Sequence, residues 1–477
     1  MLFNSLEFCV FLPVVLAVYY SLKHRHQNIF LVLASCYFYA SWDWRFLFPL
    51  LFSTGIDYFC AQRMAESWDR GGPAAERKRY LLLSLVTNLG LLGFFKYFNF
   101  FAASLHDLLS ILGIPSSLRT LEVILPVGIS FYTFQALSYT IDVYRGQIHA
   151  TQHFADFFLA VLYFPHLVAG PIQRAHNLIQ QVIQPRRTTR QQIIDGVHLI
   201  VWGYFKKVFI ADHLSPIVDR VFSQAAPTGG ETLLGVYAFA VQIYCDFSGY
   251  TDIARGVAKL MGFEFMLNFN LPYFATSPQE FWKRWHISLS SWLRDYLYIP
   301  LGGNRGSEAQ TLRNLMLTMV IGGFWHGAAW NFLYWGFYHG SLLVAHRLSL
   351  PFQQRYLTFT TQPAKALWFL LRLVVMFHLT CYGWLLFRAT SAAQIAHMTA
   401  ELFRAPLAGW DAAAGWQVLL YSLPLALVQV IQYATGKLEF LNWPFMRAEL
   451  RAAVYAVLVY LALVRGGTPQ SFIYFQF

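Results

Sequence analysis

His326 lies inside the apolar run Ile321-Gly-Gly-Phe-Trp-His-Gly-Ala-Ala-Trp330. A titratable side chain in such a setting costs free energy and is by default a functional candidate. Imidazole titrates near neutral pH, so it can accept a proton from a hydroxyl. Acyl transfer to an alcohol needs such a base, because a neutral hydroxyl is a poor nucleophile. Gly322, Gly323 and Gly327 would let backbone or substrate approach closely. A histidine hydrogen-bonded between two helices fits the same residues, and the glycine-rich frame leaves the two readings level.

A second constellation runs from Phe281 to Arg305. Placed on one helix, Trp282, Trp285, Leu289 and Trp292 share a face. Lys283, Arg284 and Arg294 could meet phosphates, aromatic rings could stack on a base, and Gly302-Gly303 permits tight backbone near a ligand. That chemistry suits a nucleotide-bearing thioester donor. An interfacial anchor helix touching lipid phosphates has the same composition, and composition by itself favours the anchor.

Other polar groups in apolar settings are Asp246, Asp252 and His166, which read as structural hydrogen bonds and helix breaks. His339, His346 and His378 carry less signal still. There is no zinc-ligand spacing, Walker loop, dinucleotide fingerprint or Gly-x-Ser-x-Gly elbow, so no metal or bound cofactor is expected. The five cysteines stand far apart in apolar runs and read as small buried hydrophobes. The end of the chain, residues 471–477 (Ser-Phe-Ile-Tyr-Phe-Gln-Phe), is aromatic where termini usually fray. Composition favours a terminus packed into the fold; the sharper alternative is a plug that brings the Tyr474 hydroxyl to a reacting centre.

The elements that hold these residues must be membrane helices. Of the 477 residues 57% are hydrophobic and 12% charged, and the mean hydropathy is +0.42. A soluble domain carries about 25% charge. Apolar stretches recur from 8–22 to 452–464, enough for roughly ten to thirteen spanning or re-entrant helices. The expectation is an all-α polytopic membrane protein, with 1–477 as one membrane-embedded domain. The N-terminus lacks a basic leader and is expected to be a retained first span. The net charge of +11 falls in short gaps between apolar runs, which fits anionic headgroups and cytoplasmic loops rather than nucleic acid. Arg77 to Arg79, Arg186 to Arg190, Lys206-Lys207 and Lys283-Arg284 are the orientation markers. Residues 268–313 mix aromatics with charge and are expected to form an amphipathic, partly re-entrant region on the cytoplasmic side.

These residues resemble the membrane-bound O-acyltransferase family, in the branch of alginate acetylation and teichoic-acid D-alanylation. The stretch Trp282 to Arg305, with Gly322 to Gly327, carries the resemblance; Leu125 to Tyr132, Tyr163 to Pro171 and Asp246 to Asp252 look like motifs of the same branch. The similarity covers residues 8–387 in order. It implies a ring of tilted helices around a central tunnel, with His326 matching the family's catalytic histidine and His286 its second one. It further implies acetyl-CoA as donor from the cytoplasm and a bacterial inner-membrane location. The acyl group would pass to a periplasmic SGNH-type acetyltransferase or polysaccharide-synthesis complex, and then to polysaccharide hydroxyls. The ending Phe472-x-Tyr474-x-x-Phe477 is similar to an aromatic motif in which the Tyr is proposed to take the acyl group. Two other classes remain open: a transporter or flippase, in which broken helices and buried polar groups are equally expected, and an acyltransferase for lipid or protein acceptors.

Overall fold

The computed structural model describes residues 1–115, 120–121, 123–167, 170–442, 446–468 and 470–475. Phe477 of the aromatic ending, and 168–169 within the Tyr163 to Pro171 motif, lie outside these described residues. Among the described residues, helices are the only regular secondary structure, as an apolar, strand-poor chain in lipid requires. Three helices among the described residues are long and apolar enough to cross a membrane: Ala74–Ile111, Gln362–Arg388 and Ala412–Thr435. Their apolar side chains point outward, with Leu367 at 69% and Trp416 at 66% exposure, while polar side chains are buried elsewhere in the fold. That arrangement suits lipid as the surrounding solvent. The apolar stretch 232–244 lies within a longer helix, Gly229–Leu260.

By packing, the chain forms two compact units, residues 1–197 with 253–266, and residues 198–252 with 267–477. In the first unit, buried polar side chains tie helices together. Asp57, on helix Leu47–Asp69, accepts from Ser84 Oγ at 2.5 Å and from Asn88 Nδ2 at 2.8 Å, both on Ala74–Leu92. Asp156 accepts from Asn28 at 3.0 Å and from Arg25 at 3.0 Å. His166 is fully buried and its Nε2 lies 3.1 Å from Gln135 Oε1, the structural role its setting suggested. Gly128, at φ 76°, opens helix Ile129–Tyr144; a Cβ there would sit 2.6 Å from the Leu167 carbonyl oxygen.

The second unit is organised around an antiparallel pair, Glu308–His326 and Trp330–Tyr356. Ser307 and Gln310 form a reciprocal cap at the first helix's start, satisfying N–H groups that have no partner within the helix. The two helices cross on glycine. A Cβ on Gly323 would lie 2.4 Å from the Phe332 carbonyl oxygen, and one on Gly336 would lie 2.5 Å from that of Met319. Backbone contact of this kind replaces the hydrophobic driving force that lipid does not supply.

Three sequence expectations need correction in this unit. Lys206 and Lys207 do not mark a loop. They sit on a π-helical turn, Phe205–Ala211, at 2% and 1% exposure. Lys206 pairs with Asp252 at 2.7 Å, and Lys207 with Asp212 at 2.8 Å and Asp246 at 2.7 Å. A buried ion pair reports on its partners, not on membrane orientation. Nor do Asp246 and Asp252 break a helix: both stand within Gly229–Leu260.

The third concerns 281–292, which is not one helix. Pro278–Arg284 and Ile287–Leu293 are separate short helices. Between them His286 adopts a left-handed backbone, φ 43°. Trp282, Trp285, Leu289 and Trp292 therefore do not form one continuous helical stripe.

Candidate active site

His286 and Leu271 are the only non-glycine residues with positive φ among those described. A non-glycine residue in that region costs on the order of 1–3 kcal/mol and persists where its surroundings over-determine it. Asn268 supplies that constraint. Its carbonyl accepts from Ile287 N–H at 2.9 Å, and its Oδ1 accepts from Ser288 N–H at 3.1 Å and Ser288 Oγ at 2.9 Å. Asn270 N–H donates to the Arg284 carbonyl at 2.9 Å, closing the turn from the other side. Sequence reasoning missed Asn268, and only its place in a polar stretch beside aromatics hinted at it.

The turn swings the His286 ring into a fully buried position, 4.7 Å from the Phe247 ring and 6.5 Å from that of His326. Neither ring nitrogen of His286 has a hydrogen-bond partner among the described residues. Buried polar atoms normally have one, so such an exception asks for an explanation.

His326 is the last residue of its helix and is 5% exposed. Gly327 follows in extended backbone, and a Cβ there would fall 2.0 Å from Phe332 Cε2. Trp325, Trp335 and Phe387 wall the His326 ring at 5.0, 5.0 and 5.4 Å. The close crossing of the two helices at Gly323 and Gly336 sets how near Trp335 comes to His326.

Tyr474 completes the group. Its ring lies 5.7 Å from His326, 6.3 Å from His286 and 4.6 Å from Phe247. Phe472, fully buried, packs on Tyr250 at 4.6 Å and on Tyr474 at 5.6 Å. Phe472 and Tyr474 are thus packed into the fold, and the tyrosine ring is against the two histidines. Two imidazoles and a phenol with ring centroids 5.7–6.5 Å apart bring together the residue types from which acyl transfer could draw a base and an oxygen nucleophile.

The three cations proposed for donor phosphates stand differently. Arg284 is committed locally: it pairs with Glu280 at 2.9 Å and donates to the Asn270 carbonyl at 3.1 Å. Arg294 opens a π-helical turn, Arg294–Tyr298, and pairs with Asp295 at 2.7 Å. Lys283 is exposed. His339 is fully buried among Phe281, Trp282 and Trp335, at ring separations of 6.1, 5.1 and 4.7 Å.

Comparison with known proteins now gives the site a context. Residues 147–387, which include His286 and His326, match the model of the membrane-bound O-acyltransferase family. A probable alginate O-acetylase of Azotobacter vinelandii, AlgI, is 44% identical over 99% of this chain and 88% of its own length. The peptidoglycan O-acetyltransferase of Helicobacter pylori is 35% identical over 82% of this chain and 77% of its own. A teichoic acid D-alanyltransferase of Bacillus subtilis is 27% identical over 55% of this chain and 68% of its own.

Proposed function

Because the chain belongs to the membrane-bound O-acyltransferase family, we propose that it moves an acetyl group from cytoplasmic acetyl-CoA to the hydroxyls of an extracytoplasmic polysaccharide. Alginate, the substrate named for the 44% identical relative, is the first acceptor to test. The protein acts from the bacterial inner membrane and hands the group to a periplasmic acetyltransferase or polysaccharide-synthesis complex. The observation that carries the reading is the meeting of His286, His326 and Tyr474, with ring centroids no more than 6.5 Å apart.

His326 is the general base. In the first half-reaction the Tyr474 oxygen attacks the thioester carbonyl carbon while its proton passes to His326. The C–S bond breaks, and the departing CoA sulfur takes that proton, leaving a tyrosyl ester. In the second, an acceptor hydroxyl attacks the ester carbonyl, again losing its proton to His326, and the phenol leaves and is reprotonated. His286 orients the donor beside His326; neither of its ring nitrogens has a hydrogen-bond partner among the described residues, which supports a role toward substrate. Lys283, Arg284 and Arg294 contact the donor phosphates, Arg284 after loosening its pair with Glu280.

The test is thioester cleavage and acetyl transfer by the purified protein in nanodiscs, wild type beside His326→Ala. Removal of a general base is expected to slow transfer by about 10²–10⁴-fold. Equal rates would remove His326 from the chemistry. Transfer to a lipid or protein acceptor, with none to polysaccharide, would replace the acceptor class and leave the base assignment standing.

A further inference from the structure

The C-terminal segment is held by a buried charge cluster that the chemistry above does not use. Ile473 N–H donates to Asp246 Oδ2 at 2.7 Å. Lys207, which bridges Asp246 and Asp212, also donates from Nζ to the Gln470 carbonyl at 3.1 Å. Further back, Gly467 N–H donates to the Val208 carbonyl at 3.0 Å, and a Cβ on Gly467 would sit 2.7 Å from the Asp212 carbonyl carbon. The side chains of Lys207, Asp212 and Asp246 are all 3% exposed or less. Three backbone groups of the tail are therefore tied to the Lys207–Asp212 turn and to Asp246.

We propose that Asp246 and Lys207 form a seat for the C-terminal segment, a positioning pair that sets the Tyr474 ring against His326. Their backbone bonds fix the register of the tail. Asp246 takes the N–H of the residue next to Tyr474, so a slip of one residue would carry the Tyr474 ring away from the histidines. Phe472 then fills the pocket of Phe247 and Tyr250, and the tyrosine is left beside His286 and His326. The consequence for transfer rests on the reading of Tyr474 as acyl acceptor; the seating of the tail does not.

The choice of variants rests on the charge count. Removing Lys207 would strand two buried carboxylates, whereas Asp246→Ala leaves Lys207 and Asp212 as a neutral pair. Asp246→Asn retains an acceptor for Ile473 N–H. Ile473→Pro deletes the donor and leaves the cluster untouched. Hydrogen exchange of the C-terminal peptide of the full-length protein, read by mass spectrometry, reports seating without reference to catalysis. Losing a hydrogen bond to a charged group is expected to speed exchange about tenfold or more in Asp246→Ala and Ile473→Pro. Asp246→Asn should stay near wild type, with acetyl transfer retained. Unchanged exchange in both Asp246→Ala and Ile473→Pro would overturn the seat; if Asp246→Ala does not fold, Ile473→Pro decides alone. A tail that is released while transfer continues would leave the seat standing and overturn Tyr474 as acceptor.

Discussion

The rings of His326 and Tyr474 lie 5.7 Å apart, although one ends a helix in the middle of the second unit and the other belongs to the final segment of the chain. Their proximity makes the phenol oxygen testable as the group that first receives the acyl chain. Tyr474→Phe keeps the contacts with Phe247 and Phe472 and removes only the hydroxyl. Polymer acetylation is expected to be lost, with thermal stability within about 1 kcal/mol of wild type. In the wild type, mass spectrometry of the protein quenched with acetyl-CoA present should find the C-terminal peptide heavier by one acetyl group. Full acetylation by the variant would eliminate the relay.

His286 can be separated from the strain it carries. Asparagine tolerates a left-handed backbone better than other non-glycine residues, so His286→Asn should fold while losing the imidazole. Acetyl transfer is expected to fall by at least about tenfold, mostly in KM for acetyl-CoA if His286 orients the donor. Asn268→Ala attacks the same turn through its support. It leaves the Ser288 N–H and hydroxyl without their acceptor and should destabilise the protein by about 1–3 kcal/mol. A melting curve unchanged by Asn268→Ala would show that something else holds the turn.

The helix crossing gives a purely steric prediction. Gly323→Ala would drive a methyl into the Phe332 carbonyl and the Gly336 backbone, neither of which is a flexible side-chain end. Destabilisation of about 1–3 kcal/mol is expected, seen as a lower melting temperature in detergent. Gly55→Ala, also inside a helix, has nothing within 4 Å of the added Cβ and serves as the clash-free control, with no loss of stability expected.

Donor binding separates the cations. Lys283→Ala combined with Arg294→Ala is expected to raise KM for acetyl-CoA several-fold and leave kcat near wild type. Both side chains are exposed, so the fold should not suffer. The same KM shift measured with a short acetyl thioester that lacks phosphates would show that the effect is not phosphate recognition.

Part of the candidate group stood out from residue types, whereas His286 entered only through the family resemblance. An isolated imidazole in a glycine-flanked apolar run stands out because charge is costly there, and His326 is at the centre of the group. The aromatic ending stands out because exposed termini rarely carry four large rings, and Phe472 and Tyr474 are indeed packed into the fold. Lys206-Lys207 misled because a pair of cations reads as a loop until its carboxylates are known. Asp212 and Asp246 are distant in sequence from each other, and nothing in their spacing announces that one lysine serves both. The 281–292 segment misled for a different reason: its apolar spacing fits a helix, and the residue that breaks it is not glycine or proline.

By itself the sequence determined the properties that composition and local pattern dictate. Its few charges and many apolar residues require lipid as solvent, its helices arise because lipid cannot satisfy bare backbone groups, and its ordered motifs specify the family. Only the tertiary structure decided the features that depend on contacts between distant residues. The left-handed turn at His286 exists because Asn268 holds it, the burial of Lys207 is tolerable because two carboxylates surround it, and Tyr474 meets His326 because the tail is tied to those same side chains. Such arrangements are stable only once their partners are in place, so no stretch of the chain read alone contains them.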